Sequence, residues 1–127
     1  MLNYLLVALG GAVGSVARFW AAAYIGEHFK ETFPIGTLVV NVTGSFLIGF
    51  LAAFAKSGSL ATSGRAFLMI GICGGYTTFS SFSLQTLQLL QSGNFLYAGW
   101  NVALSVGLCM IAVWLGYLAG FALNLAK

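Results

Sequence analysis

Residues 71–83 read GICGGYTTFSSFS, a stretch that interrupts an otherwise apolar segment with three glycines and five serine or threonine residues. Glycine in a helix interior costs about 1 kcal/mol relative to alanine, so we predict a break between Gly74 and Thr77. Non-helical backbone at membrane depth is tolerated only where it is buried in protein or lines a cavity. Broken helices mark transport sites, and their freed carbonyls coordinate cations such as Na⁺. The break is therefore the strongest indication of function in the sequence.

The composition of the whole chain is that of a membrane protein. Of its 127 residues, 60% are hydrophobic and 6% are charged, and the mean hydropathy is +0.97. Soluble domains carry roughly 25% charged residues, so this chain lacks the polar surface that such a domain needs. The net charge of +3 rests on seven scattered side chains, which argues against a nucleic-acid partner.

Four apolar segments are long enough to cross a bilayer, which takes about 20 residues. They lie at about 3–25, 36–55, 65–90 and 95–125. The sequence therefore predicts an all-α, multi-pass membrane protein with one four-helix domain over 1–127, whose third helix is broken mid-membrane. A signal peptide ending at residues 21–23 is the alternative for the first segment, but no basic residue begins it and further spans follow.

The scattered cations bear on orientation. Short loops make consecutive helices antiparallel, so both termini lie on one side of the membrane. Lys56, Arg65 and Lys127 fall on that side, and Lys30 falls on the other, together with Arg18 if its side chain reaches the interface. An excess of cations sets orientation, and three against two is a weak bias. Insertion in both orientations, as an antiparallel dimer requires, and insertion with the termini inside both stay open.

Polar side chains recur at four-residue spacing on two of the predicted helices. The two lines are Thr37, Asn41 and Ser45 in the second span, and Asn101, Ser105 and Cys109 in the fourth. Residues at this spacing share one helix face, and a polar side chain within a span must face protein or water. Each line is therefore either a set of hydrogen bonds between helices or a polar track along a path.

Phe79 and Phe82 share one face of the helix that follows the break, beside three serines. Rings at this spacing usually pack in a core, but a phenyl ring has a positive edge that can face an anion without trapping it. A pore needs binding that is favourable enough to enter and weak enough to leave. Arg18 is the only charge well inside a predicted span; it either anchors the helix at the interface or forms a positive vestibule.

Few residues in the chain are suited to catalysis or proton coupling. Cys73 and Cys109 sit in apolar segments and are interpreted as small hydrophobic residues. His28 is the only histidine and falls in a predicted loop without metal-ligand partners, so we predict no enzyme. A small multidrug-type exporter would need a carboxylate within a span, and no predicted span contains Asp or Glu.

Glycines also pair at four-residue spacing. The pairs are Gly10 and Gly14, Gly71 and Gly75, and Gly116 and Gly120. Such pairs let helix backbones approach closely in membranes, so they indicate tight packing. A membrane subunit that only packs against others would explain the pairs but not the break or its hydroxyl cluster.

On these residues the chain resembles the CrcB/Fluc family of bacterial fluoride channels. The resemblance covers GGAVG at 10–14 with Arg18, GTLVVN at 36–41, and GGYTTFSSFS at 74–83, which is close to the family's GGxTTFSTFS. It implies an antiparallel, dual-topology homodimer in the bacterial inner membrane, surrounded by lipid. It also implies two fluoride pores along the subunit interface, a central structural Na⁺, and passive export that protects the cell from fluoride.

The resemblance assigns roles to individual residues. The implied pore residues are Asn41, Phe79, Ser80, Ser81, Phe82 and Ser105. The phenylalanines would present ring edges to fluoride and the amide would donate a hydrogen bond. Gly74 and Thr77 would give backbone carbonyls to Na⁺, and Arg18 would be the vestibule arginine. The chain departs from the family pattern at Gln85, where many members have Glu, and at Asn101 and Cys109, where some have Tyr and Ser.

Overall fold

A computed structural model of the chain describes residues 1–29 and 32–126, which form four long helical spans. The elements are α1 (Leu2–Phe29), α2 (Ile35–Lys56), α3 (Thr62–Gly64), a π-helix (Arg65–Cys73), α4 (Gly74–Tyr76), α5 (Phe79–Gln91) and α6 (Phe95–Leu125). The third span comprises α3, the π-helix, α4 and α5. The predicted all-α architecture is confirmed for these residues. Lys30 and Lys127, which entered the cation count, lie outside the described residues.

Glycines bring the helices together in two pairs. α1 lies against the π-helix and α4, and α2 lies against α6. A Cβ added at Gly71 would lie 2.9 Å from Cα of Gly10, and one added at Gly120 would lie 2.9 Å from Cβ of Ala53. These distances leave no room for a side chain, so the predicted close approach of backbones is confirmed.

The order of contacts along each pair fixes the direction of the spans. Gly10 lies against Gly71 and Gly14 lies against Tyr76, so the first and third spans run parallel. The second and fourth spans also run parallel, whereas α2 is antiparallel to the third span. The spans therefore alternate in direction, as the short loops predicted.

The third span is interrupted between α4 and α5, which confirms the predicted break. Thr77 and Thr78 have extended backbone, with ψ of 156° and 112°. Gly74, in contrast, is helical, with φ −65° and ψ −36°. The expectation that glycines open the helix is therefore wrong: Gly71 and Gly75 serve the contact with α1, and the threonines leave the helical conformation. Before the break, Arg65–Cys73 form a π-helix, a rare form that is frequent at functional sites.

The first span is longer than predicted. α1 continues to Phe29, so His28 lies in its last turn and not in a loop. The ring Nδ1 lies 2.9 Å from the Tyr24 carbonyl oxygen. The ring therefore reaches back one turn to a carbonyl of its own helix, which gives this polar side chain a local partner.

Large apolar side chains cover the outside of the molecule, and small ones fill its interior. Phe19 and Trp114 are more than half exposed, whereas Ala66, Ala98 and Ala112 are buried. Helices that pack within a membrane place small residues at their contacts, and their large apolar side chains face lipid. The protein is accordingly a multi-pass membrane protein.

Candidate functional site

The break is held by the side chain of Asn41 on α2. The Thr78 backbone amide donates to Oδ1 of Asn41 at 2.7 Å, and Nδ2 of Asn41 donates to the Thr78 carbonyl at 3.0 Å. One primary amide thus satisfies both backbone groups of an extended residue. Such groups would otherwise be costly at membrane depth, so Asn41 is the reason the chain tolerates a break here.

The next turn of α2 contacts the two residues that precede Thr78. Gly44 leaves space for the methyl group of Thr77, because an added Cβ would collide with Cγ2. The hydroxyls of Thr43 and Tyr76 lie 3.1 Å apart. The break is therefore specified by side chains of α2 as well as by its own sequence.

Thr78 also begins α5 as its N-cap. Its Oγ1 accepts from the Ser81 amide at 3.1 Å and donates to the Ser81 hydroxyl at 3.0 Å. The Ser80 hydroxyl lies 3.3 Å from the same atom. Threonine is a favoured N-cap because its oxygen satisfies an amide that has no partner within the helix.

A groove of about 330 Å³ opens beside the break, and we call it the phenylalanine groove. Its lining residues are Asn41, Ser45, Ile48, Thr77, Thr78, Phe79, Phe82, Ser105, Val106, Cys109 and Met110. The ring centroids of Phe79 and Phe82 are 5.3 Å apart, with their planes at 48°. Phe82 is 9% exposed and Phe79 is 77% exposed. One ring is thus fixed in the protomer, and the other faces outward from it.

The two polar lines end in this groove. Ser45 comes from α2, and Ser105 and Cys109 come from α6. Asn101 is different, because it is 2% exposed and donates from Nδ2 to the hydroxyl of Thr86 on α5 at 2.8 Å. The spacing of Asn101, Ser105 and Cys109 left two roles open, and the structure shows both. Asn101 forms a hydrogen bond between helices, whereas Ser105 and Cys109 line the groove.

A second cavity of about 370 Å³ lies between α1, α2 and α5, and we call it the arginine cavity. Its lining residues are Arg18, Phe19, Ala22, Ala23, Thr37, Val40, Thr78, Ser81 and Gln85. Nε of Arg18 and Oε1 of Gln85 are buried and have no hydrogen-bond partner within the described part of the chain. The cavity lining thus includes a cationic donor and an amide acceptor that are unpaired among the described residues.

Comparison of the sequence with known proteins assigns the chain to a family. The model of the family described as "CrcB-like protein, Camphor Resistance (CrcB)" matches residues 5–117. The chain belongs to the CrcB-like family.

Relatives match this chain over nearly its full length. It is 55% identical over 130 residues to a protein of Opitutus terrae, covering 100% of this chain and 98% of the relative. It is 51% identical over 127 residues to a protein of Paramagnetospirillum magneticum, covering 98% and 99%. A protein of Campylobacter jejuni is 44% identical over 119 residues, covering 93% and 98%. All three relatives are named fluoride-specific ion channel FluC.

Membership of the CrcB-like family confirms the resemblance drawn from the motifs. Of the six pore residues that the resemblance implies, four line the phenylalanine groove: Asn41, Phe79, Phe82 and Ser105. Ser81 lines the arginine cavity with Arg18. Ser80 is exposed and lines neither cavity.

Thr78 is the residue that the sequence analysis missed. It is 8% exposed, lines both cavities, and forms hydrogen bonds to Asn41 and Ser81. A signal for it was present, since a threonine directly before a helix start is a typical N-cap. The range predicted for the break, Gly74 to Thr77, stopped one residue before it.

Proposed function

We propose that the chain is one subunit of a fluoride-selective channel, which lets fluoride leave the cell passively and electrogenically and so lowers its toxicity in the cytoplasm. The observation that carries the proposal is the phenylalanine groove, where two adjacent rings meet an amide and a serine hydroxyl. The family and the names of its members support the choice of anion.

The groove offers an anion several weak contacts and no fixed positive charge. Ring edges of Phe79 and Phe82 carry partial positive charge. A primary amide has two N–H groups, and Asn41 uses one of them on the Thr78 carbonyl, so its second remains for an anion. The Ser105 hydroxyl lies 3.5 Å from Oδ1 of Asn101, to which it donates, a long bond that it can exchange for an anion. Such a set binds without trapping, as conduction requires.

Arg18 is proposed to form a positive vestibule next to the groove. Its Nε is buried and has no partner within residues 1–29 and 32–126, which supports this role over that of an interfacial anchor. A cleft with one sign of charge raises the local concentration of the opposite ion. Because Thr78 lines both cavities, an anion drawn to Arg18 would be close to the groove.

The working channel is proposed to be an antiparallel dimer of two identical subunits in opposite orientations. The groove is open where Phe79 is 77% exposed, and the backbone of Gly74, four residues before Thr78, is also exposed. In lipid, each unsatisfied backbone group costs several kcal/mol, so this face needs a protein cover. A second copy would close the groove, and two copies would give two pores along their interface.

A structural Na⁺ is proposed at the centre of the dimer, held by the carbonyls of Gly74 and Thr77. Unwound backbone carbonyls are the ligands that coordinate Na⁺ in transporters. Residues 1–29 and 32–126 contain no cluster of three His, Cys, Asp or Glu side chains that could hold a metal, and the proposed site uses neutral backbone oxygens instead. The extended backbone at Thr77 supports this role, because it takes the local carbonyls out of the helical pattern.

Fluoride efflux from proteoliposomes tests the channel. Vesicles loaded with potassium fluoride and holding the purified protein should release fluoride rapidly once valinomycin lets K⁺ follow, and should release little chloride under the same conditions. Efflux that needs no ionophore would contradict electrogenic transport. Equal fluoride and chloride release, or neither, would contradict the channel.

A ring variant tests the groove itself. Phe79→Ala should abolish efflux, because it removes one ring edge from the path. Phe95→Ala is the matched control, since this ring is 69% exposed and lies outside the groove, and it should conduct like the original chain. Normal efflux in Phe79→Ala would show that the groove is not the path.

Labelling tests the inverted partner. Ser59 is exposed in the loop after α2. A Ser59→Cys variant, with Cys73 and Cys109 replaced by alanine, should react with an impermeant maleimide from both faces of the membrane in similar amounts. Labelling from one face alone would exclude dual topology.

A further inference from the structure

We propose that Asn41 and Thr78 are positioning residues for the cation site, because their side chains draw two amides away from the carbonyls that would hold the ion. This inference rests on the Na⁺ site of the proposed function. It concerns which residues of the chain create that site, and it explains why the break stands at Thr77 and Thr78.

The first diversion frees the Gly74 carbonyl. In a continuous α-helix each amide donates to the carbonyl four residues earlier, so the Thr78 amide would donate to Gly74. It donates instead to Oδ1 of Asn41 at 2.7 Å. The second bond, from Nδ2 of Asn41 to the Thr78 carbonyl at 3.0 Å, holds the residue on its other side. Thr78 therefore stays extended, at φ −149° and ψ 112°, and Gly74 lacks its helical donor.

The second diversion frees the Thr77 carbonyl. A continuous helix would direct the Ser81 amide to it, but that amide donates to Oγ1 of Thr78 at 3.1 Å. The hydroxyl hydrogen of Thr78 is directed to Oγ of Ser81, 3.0 Å away. Thr78 is thus held in the position of an N-cap, and the carbonyl before it is left open.

The other polar groups of Thr77 are engaged within the preceding turn. Its amide and its hydroxyl both donate to the Cys73 carbonyl, each at 3.0 Å. Only the backbone oxygen of Thr77 remains free of these bonds. The result is two carbonyls, at Gly74 and Thr77, from which the Thr78 and Ser81 amides are diverted.

Besides holding Thr78, Asn41 also lines the phenylalanine groove. Substituting it would disturb the groove and the cation site together. Thr78 lines the groove as well, but its Oγ1 bonds only to Ser80 and Ser81, which do not line it. A valine at this position keeps the β-branched shape that suits extended backbone but has no acceptor, so the Ser81 amide would lose its partner and compete for the Thr77 carbonyl.

The experiment measures bound sodium rather than transport. The purified full-length protein in micelles is dialysed into N-methylglucamine chloride, and its sodium content is then determined by emission spectrometry against free Na⁺. Thr78→Val should raise the Na⁺ concentration for half-occupancy about tenfold, the effect expected when a carbonyl ligand gains a competing hydrogen bond. Thr78→Ser keeps the acceptor oxygen and should match the original chain.

A double variant distinguishes diversion of the amide from a general loss of structure. Proline lacks the amide hydrogen and is tolerated in the first turn of a helix. Thr78→Val with Ser81→Pro should therefore bind Na⁺ better than Thr78→Val alone, since the competing donor is gone.

Three results would overturn the inference: Thr78→Val with the original sodium affinity, Thr78→Ser as weak as Thr78→Val, or no recovery in the double variant. An original chain that binds no sodium would overturn it as well. Fluoride efflux is measured separately from sodium content. A failure of the cation inference therefore leaves the channel proposal intact, and a failure of the channel proposal would appear in the efflux assay alone.

Discussion

The two halves of the third span differ in how they are held. Before the break, Gly71 and Gly75 place the backbone of the π-helix and α4 directly against α1. After the break, α5 contains no glycine, and its contacts with other helices are fewer. Leu84 and Leu87 on α5 are about half exposed. Backbone contact leaves no space between helices, so the first half forms a scaffold, and the half that stands away from its neighbours lines the groove.

The largest expected effect is in α5, where one ring is buried in an otherwise loosely held helix. Phe82→Ala should lower the free energy of unfolding by about 3–5 kcal/mol, the usual loss when a buried phenylalanine is truncated. Denaturant titration in micelles measures it. Phe95→Ala, with its ring 69% exposed, should cost far less. Equal losses would mean that Phe82 is not the anchor of α5.

A smaller effect is expected at the scaffold half. A Cβ at Gly75 would lie 2.5 Å from the Gly11 carbonyl oxygen, whereas a Cβ at Gly11 would meet nothing within 4 Å. Gly75→Ala should therefore cost about 1–3 kcal/mol through overpacking, measured in the same titration. Gly11→Ala is the matched control on the facing helix and should not destabilise the protein, because alanine is the better helix former by about 1 kcal/mol. If Gly75→Ala has the original free energy of unfolding, α1 and α4 can move apart enough to admit a methyl group.

The smallest effect is expected at the polar link between α5 and α6. Thr86→Val removes the hydroxyl that accepts from Asn101 and should cost about 0.6 kcal/mol, the average for hydrogen bonds between membrane helices. Thr86→Ser keeps the hydroxyl and should restore most of the stability. A loss as large as that of Phe82→Ala would mean that hydrogen bonds, not the ring, hold α5.

The sequence predicted much of the site, but it did not show that the assigned residues are divided between two cavities. Asn41, Phe79, Phe82 and Ser105 were assigned to one site by the resemblance, and they line one groove. Ser81 was assigned to the same set, but it turns to the side of α5 that faces Arg18. Neighbouring residues on a helix point in different directions, and only the packing of α5 decides which cavity each one meets.

The four spans follow from the sequence alone, because runs of apolar residues must cross a bilayer, and the glycine- and hydroxyl-rich stretch at 71–83 indicated that the third span is interrupted. The location of the break was decided by the tertiary structure. Asn41 lies 37 residues from Thr78 along the chain and meets it only when α2 packs antiparallel to the third span. In the folded chain the glycines contact α1, and the unpaired backbone lies where a side chain from another helix can satisfy it.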